Sequence, residues 1–328
     1  MATYKEIHGV KVQYRDSDAT AIEGDVWYNA STGKLKMYSS VGAWASGGNM
    51  NDARPYAFGS GGVQGAAISF GGSTANDTGN ENYDGTSWTE NAAMNNGYGY
   101  STGTGTQTDA IAIAGFTTPP HSAKNTTEEW DGSSWTAGGN ITTGRYNIEN
   151  QSYGPGSAAG FVGGKNPSFA IQALQEHYDG SSWTEVGDVP APAWTGSSAG
   201  IQTANILIGG QISGSNSAES FTWDGSSWTD IGVYNTARYT HAASGVYDDA
   251  ILVGGFAPGD VYAANTESWD GSSWTELADL STARSSLGAS KTETGITSAI
   301  VFGGENPPST QSTEEWNVAA SVQTVAFD

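Results

Sequence analysis

Five near-identical heptapeptides punctuate this chain: residues 83–89 (YDGTSWT), 130–136, 178–184, 223–229 and 269–275, the last four reading WDGSSWT or YDGSSWT. Their second aromatics, Trp88, Trp135, Trp183, Trp228 and Trp274, fall 47, 48, 45 and 46 residues apart. So regular a step marks a repeat architecture, in which one small unit recurs and each copy covers its neighbour. A second marker keeps the same step. It is an apolar run ending in Gly-Gly at 68–72, 161–164, 206–210, 251–255 and 300–304, with an imperfect sixth at 111–115. The chain therefore reads as six units.

The unit that begins at Arg238 divides into four strand-sized pieces, 239–244, 250–254, 266–269 and 273–277. The second is continuously apolar and β-branched, as expected of a strand buried on both faces. The third and fourth are joined by Asp-Gly-Ser-Ser, a hairpin signal in which Asp accepts from amides two residues on and Gly supplies positive φ. Four antiparallel strands per unit is the arithmetic of a propeller blade. The abundance of Gly, Ser, Thr and aromatics, with 46 Gly in 328 residues, suits short strands and many turns.

The ends of the chain complement each other. The last unit reaches Glu314-Glu315-Trp316-Asn317 without a following Gly-Ser-Ser-Trp strand, while an unmatched relative, YSSVGAW, occupies residues 38–44. Trp44 lies 44 residues before Trp88, so the segment around it is expected to complete the last blade. The alternating residues 318–328 suggest a further strand added to that blade. The expected organisation is an all-β chain: a leader over 1–36 and a six-bladed β-propeller over 37–328.

Charge narrows the partners. The formal net charge is -22, and it lies downstream of residue 36, because the leader balances five cations (Lys5, Lys11, Arg15, Lys34, Lys36) against five acids (Glu6, Asp16, Asp18, Glu23, Asp25). An acidic body repels phosphate backbones, which argues against nucleic acid and anionic membranes. No cysteine is present, which excludes disulfides, thiolate metal sites and a cysteine nucleophile. No window approaches the roughly 20 apolar residues of a membrane span, and the start has no signal-peptide core. The sequons at Asn29, Asn76, Asn125 and Asn140 carry little meaning without a secretory route.

The Gly-Gly after a buried strand, followed by an aromatic and a Trp at fixed offsets, resembles kelch-repeat β-propellers. The stretches MATYKEIHG, EGDVWYN (23–29) and GKLK (33–36) resemble the leader of kelch-like structural proteins of marine cyanobacterial phages and related tail-fibre proteins. That resemblance implies a virion component, a tail or capsid appendage assembled in the host cytoplasm. Its leader would dock on other virion proteins or on further copies of the chain, and its propeller loops would meet host-surface polysaccharide. It identifies no active site.

Four arginines, Arg54, Arg145, Arg238 and Arg284, occupy one repeat position, just before the first strand; Asn96 and Thr195 lie near the equivalent places in units two and four. A ring of cations at a channel mouth would suit an acidic sugar. The competing reading pairs them with Glu81, Glu128, Glu176, Glu267 and Glu314, two residues before the first motif aromatic, where unit four has Phe221. The variable loops after each Gly-Gly are the other place to look for recognition, at His121, Lys165, Phe169 and Tyr262. The motif residues Asp84, Asp131, Asp179, Asp224 and Asp270 read as turn formers, since one carboxylate per loop is thin for calcium.

Catalysis finds little footing. The histidines His8, His121, His177 and His241 have no metal-site spacing and no Ser-His-Asp set stands out. Sialidases are six-bladed propellers with Ser-x-Asp-x-Gly-x-Thr-Trp turns, but the turn here is one residue shorter from Asp to Trp. Kelch-type copper oxidases need a Tyr-Cys crosslink. The expectation is a non-enzyme without metal or cofactor, with a soluble glycan-binding lectin as the alternative and a sialidase-like glycosidase behind it.

Overall fold

A computed structural model describes residues 12–18, 24–57, 59–72, 77–117, 122–213, 215–291 and 295–325. The MATYKEIHG start with His8, Glu23, and the 118–121 stretch with His121 lie outside these residues. The chain divides into two compact units, one of residues 1–43 with 317–328, the other of residues 44–316. Among the described residues there is no α-helix, and a single 3-10 turn spans Gly156–Ala158.

The larger unit is built of four-stranded antiparallel repeats. In repeat five the strands Ala242–Val246, Asp249–Val253, Thr266–Trp269 and Trp274–Glu276 pair in sequence order. The first strand starts three residues later than its sequence pattern suggests, because Thr240 adopts φ 51° and Tyr239 pairs instead with Phe256. Repeats one to four follow the same scheme, with first strands at Gly59–Val63, Thr102–Thr106, Ser152–Tyr153 and Ser197–Ile201. The last repeat has strands Gly288–Ala289 and Ser298–Phe302, followed by the strand that starts at Thr313. Each first strand lies beside the first strand of the next repeat, and Gly288–Ala289 lies beside Gly59–Val63.

The second strand of each repeat is apolar because both its faces are covered, one by each neighbour. Ile206 and Ile208 pack with Ala243, Leu252 and Trp269 of repeat five, while Leu207 between them packs with Tyr153 and Val162 of repeat three. Ala67, Tyr83 and Trp88 of repeat one share a cluster with Ile300 and Phe302 of the last repeat. Burying each such side chain contributes about 1.5–3 kcal/mol.

The motif tryptophans act as wedges between repeats. Trp88 packs edge-on against Phe302, ring centroids 4.7 Å apart, and its Nε1 donates to Thr313 Oγ1 at 3.0 Å. Trp44 makes the corresponding contact one repeat earlier, donating to Thr266 Oγ1 at 2.9 Å. It also sits 5.4 Å from Trp316, as Trp274 sits 5.6 Å from Trp269. Gly47 N donates to Thr313 O at 2.9 Å beside it. The motif aspartates, by contrast, are exposed: Asp270 Oδ1 accepts from the amides of Ser272 and Ser273 at 2.9 and 2.8 Å, and Gly271 turns the chain at φ 86°. These bonds hold the carboxyl down at about 2, side-chain and backbone donors of the two serines acting together.

The Gly-Gly pair has a role that periodicity did not reveal. Its second residue donates to the carbonyl at the arginine position of the next repeat: Gly115 to Arg145, Gly164 to Ala193, Gly210 to Arg238, Gly255 to Arg284 and Gly304 to Arg54, at 2.9–3.1 Å. Gly255 is at φ 98°, and a Cβ there would lie 2.7 Å from Tyr239 O.

The smaller unit carries Gln13–Arg15 parallel to Val26–Asn29, which is antiparallel to the strand Lys34–Ser46. Trp27 is buried beneath the Arg15 guanidinium, and Tyr14 and Tyr28 stack at 5.6 Å on the outside, Tyr14 being 74% exposed. Val325 N donates to Leu35 O at 3.0 Å; in place of a further strand added to the last blade, residues 317–324 continue the strand Thr313–Thr324 and belong to this unit from Asn317 onward.

Gly255→Ala is expected to cost at least about 3 kcal/mol, from the left-handed backbone together with the clash against Tyr239 O. Gly259→Ala, at φ 83° with open space around its Cβ position, is expected to cost only about 1–2 kcal/mol. Urea unfolding of the two variants measures the difference, and equal losses would mean that the close approach of Gly255 to Tyr239 O is unimportant.

Candidate functional site

The four arginines are placed by the chain just before each first strand, but they do not form an exposed ring. Arg54, Arg145, Arg238 and Arg284 are 0–2% exposed. Each pairs with the glutamate of its own repeat: Arg54 with Glu81 at 3.2 Å, Arg238 with Glu267 at 2.9 Å, Arg284 with Glu314 at 3.1 Å, and Arg145 with Glu176. Arg145 also donates to Gly163 O and Leu174 O, and Arg54 to Gly71 O and Gly79 O, which ties down the loop after the second strand. Burial pulls the Arg145 and Arg284 guanidinium groups down in pKa, and the paired glutamates oppose it.

The two exceptions follow the same logic. In repeat two Tyr98 replaces arginine, and Glu128 instead accepts from the backbone amides and side-chain amides of Asn95 and Asn96 at 2.7–3.1 Å. In repeat four both partners are replaced together, by Ala193 and Phe221, both buried. Thr195 stands two residues beyond that position; it matches Thr240, whose amide donates to its carbonyl at 2.7 Å.

The loops before the first strands and after the second strands emerge at the same end of every repeat, as antiparallel pairing requires. That end is rich in aromatic rings. Tyr56 meets Tyr100 at 5.0 Å, Tyr100 stacks on Phe116 at 5.3 Å, Phe116 meets Tyr146 edge-on at 5.9 Å, and Tyr146 meets Phe169 edge-on at 6.1 Å. A cavity of about 370 Å³ lies among Tyr100, Phe116, Tyr146, Asn147, Pro167 and Phe169. Phe169, at φ 65°, is 71% exposed on the rim of this hollow.

A second group comprises Tyr239, Phe256 and Tyr262, with centroids 5.1 and 4.7 Å apart. The Tyr239 hydroxyl donates to Asp260 Oδ1 at 2.7 Å, and burial with that carboxylate raises its pKa. Lys165 lies between the groups, its ammonium 3.1 Å from the centroid of the Trp194 ring. Burial lowers the Lys165 pKa and the charge of Glu149 opposes the shift.

Of the residues picked from sequence, Phe169, Lys165 and Tyr262 are thus at the aromatic end, the arginines are inside the repeats, and His121 lies outside the described residues. Tyr56, Tyr100, Phe116, Tyr146, Trp194 and Tyr239 were missed. A weak signal existed: an aromatic stands one or two places after the arginine position in five repeats.

Stacked four-stranded repeats with recognition-type loops gathered at one end define an all-β, β-propeller-like class of protein. Among solved structures this fold is similar to that of YjhT, with a TM-score of 0.68 over 83% of this chain and 99% of that one, at 12% identity. At that identity the likeness speaks for the fold alone. No protein-family model matches the sequence, and no curated protein matches it.

Removing one partner of a buried ion pair leaves an uncompensated charge, so Arg238→Ala is expected to cost about 3–5 kcal/mol. The double variant Arg238→Ala/Glu267→Phe, which copies repeat four, is expected to recover most of that loss in thermal or urea unfolding. A double variant no more stable than the single one would contradict the account.

Proposed function

We propose that this chain is a structural protein of a phage virion, a tail or capsid appendage of the fibre type, that binds host-surface glycan through the loop end of its larger unit. In this reading the larger unit is a six-bladed kelch-like propeller. The succession of first strands from Gly59–Val63 round to Gly288–Ala289, the bond from Gly304 to Arg54, and the place of Trp44 beside Trp316 support six blades with the last closed by the segment around Trp44. The virion assignment rests on the leader's resemblance to phage structural proteins. The stacked, exposed Tyr14 and Tyr28 offer the smaller unit a surface for docking on other virion proteins or on further copies.

The observation that carries glycan binding is the cavity bounded by Tyr100, Phe116, Tyr146 and Phe169, with Asn147 as a polar group at its wall. Sugar rings present apolar C–H faces to aromatic rings and hydroxyls to amides, and a few fixed polar groups among apolar walls are what a small-molecule site requires. The chain's excess of carboxylates favours neutral or cationic sugars over acidic ones. A soluble lectin would use the same cavity; the leader favours the virion.

Mass spectrometry and cryo-EM of purified particles are expected to find the protein on the virion, and its absence would overturn that assignment. On a glycan array the Tyr146→Ala/Phe169→Ala variant is expected to lose at least about tenfold in affinity, of the order seen when stacking aromatics are removed from an interface. Unchanged glycan binding would remove the cavity from the reading.

A further inference from the structure

Repeat three departs from its neighbours where the first strand begins. In repeat four Thr195, at φ 57°, is followed by Gly196 alone before Ser197 pairs with Ile208. In repeat three Asn147, at φ 55°, is followed by Ile148, Glu149 and Asn150 before Gln151 O accepts from Val162 N. The extra residues do not bulge into solvent: Glu149 is 1% and Asn150 0% exposed.

Asn150 reaches across the larger unit. Its Nδ2 donates to His241 O at 3.1 Å and to Leu287 O at 2.8 Å, in repeats five and six. Its own carbonyl accepts from Lys291 Nζ at 3.0 Å, and Lys291 also donates to Ser198 O at 3.1 Å. Repeats three, four, five and six can meet in this way only at the centre about which the repeats are arranged. The insertion is a plug in that centre.

Glu149 sits at the aromatic end of the plug. Among the described residues its Oε2 has no hydrogen-bond partner. Its charge reaches the hydroxyls of Tyr56 and Tyr239 and the ammonium of Lys165, which come from repeats one, five and three. A buried carboxyl thus lies within electrostatic reach of phenol groups from repeats one and five, and Glu305 acts on Tyr56 as well. Lys165 makes no ion pair with Glu149, its ammonium being held on the Trp194 ring. Burial pushes the Glu149 carboxyl up to about 8, with Lys165 opposing.

We propose that this central mouth is a binding site for the ammonium group of a ligand, with Glu149 as its counter-charge and the Tyr56 and Tyr239 rings as its walls. Aromatic faces attract ammonium groups, most strongly where water is excluded, and Lys165 on Trp194 already displays that chemistry at the same end. A carboxyl left without a partner in a buried place is destabilised, and an arriving cation relieves it. Such an ammonium could come from an amino sugar or from a quaternary amine on a surface polymer. The site is separate from the sugar cavity and stands whether or not that cavity binds glycan.

Isothermal titration calorimetry on the full chain, with choline and D-glucosamine as probes and D-glucose as neutral control, tests the site. At least one ammonium probe is expected to bind about tenfold or more tightly than glucose, and the preferred probe names the source. Glu149→Gln is expected to lose about tenfold for that probe, and Lys165→Ala to gain affinity by removing a competing cation. Because Glu149 is largely protonated below about pH 8, choline binding to the unaltered protein at pH 7 should release close to one proton, read from two buffers of different ionisation enthalpy. That measurement serves even if Glu149→Gln fails to fold. Glucose binding as tightly as both ammonium probes, no binding of either probe, undiminished binding by folded Glu149→Gln, or no proton release with choline would overturn the proposal.

Discussion

A strand apolar on both faces cannot be satisfied inside its own four-stranded sheet, and the larger unit is organised around that fact. Ile206, Leu207 and Ile208 are fully buried only because repeats three and five cover them from either side. One repeat taken alone would leave such a strand half exposed, so each copy needs two neighbours. The cluster that joins Ala67 and Trp88 to Ile300 and Phe302 gives the first and last repeats the same cover as the rest.

Hydrophobic contact is non-directional and does not set how far each repeat is rotated from the next. Direction comes, at five of the six junctions, from the bond between the second Gly of the pair and the carbonyl at the following arginine position. Two consecutive left-handed residues bring the backbone close to its neighbour, as at Gly254 and Gly255 with φ 63° and 98°. The buried arginine then fastens the loop on its own side, by its glutamate and by carbonyls such as Gly163 O and Leu174 O. Repeat four lacks both charges and keeps the same latch through Ala193 O, so the ion pair shapes the loops and the latch joins the repeats.

The repeat itself was legible because it is written in residues with strong local constraints. Asp-Gly-Ser-Ser permits few turns, an unbroken apolar run permits few environments, and Trp at a fixed step must fill equivalent gaps. The Arg and Glu positions were legible as partners because Phe221 marks the one repeat without the acid. The aromatic end was much harder to read. Tyr100 and Phe116 are 16 residues apart and meet across the first two strands of one repeat, while Phe116 and Tyr146 are 30 apart and meet only when successive repeats are set side by side. No local pattern distinguishes a loop tyrosine that faces a neighbour's loop from one that faces solvent. The first strand of repeat five was misjudged at its start for a related reason, since the left-handed residue there is Thr240 in place of glycine, as Tyr56, Tyr100, Asn147, Thr195 and Ser286 are in the other repeats.

The two-residue insertion in repeat three was the least visible feature of all, because it changes the spacing of the tryptophans by no more than loops elsewhere do. Its effect is nevertheless central. In the other repeats the first strand begins soon after the left-handed residue. In repeat three the backbone is diverted, so that Asn150 bonds to carbonyls of two distant repeats and Glu149 is set under the aromatic end. An inserted pair serving only to brace the centre would need Asn150 alone; an apolar residue at 149 would fill the space without the cost of burying a carboxyl. Bracing therefore does not explain why the inserted pair carries a buried acid with an unpartnered oxygen, and a ligand's positive charge accounts for it.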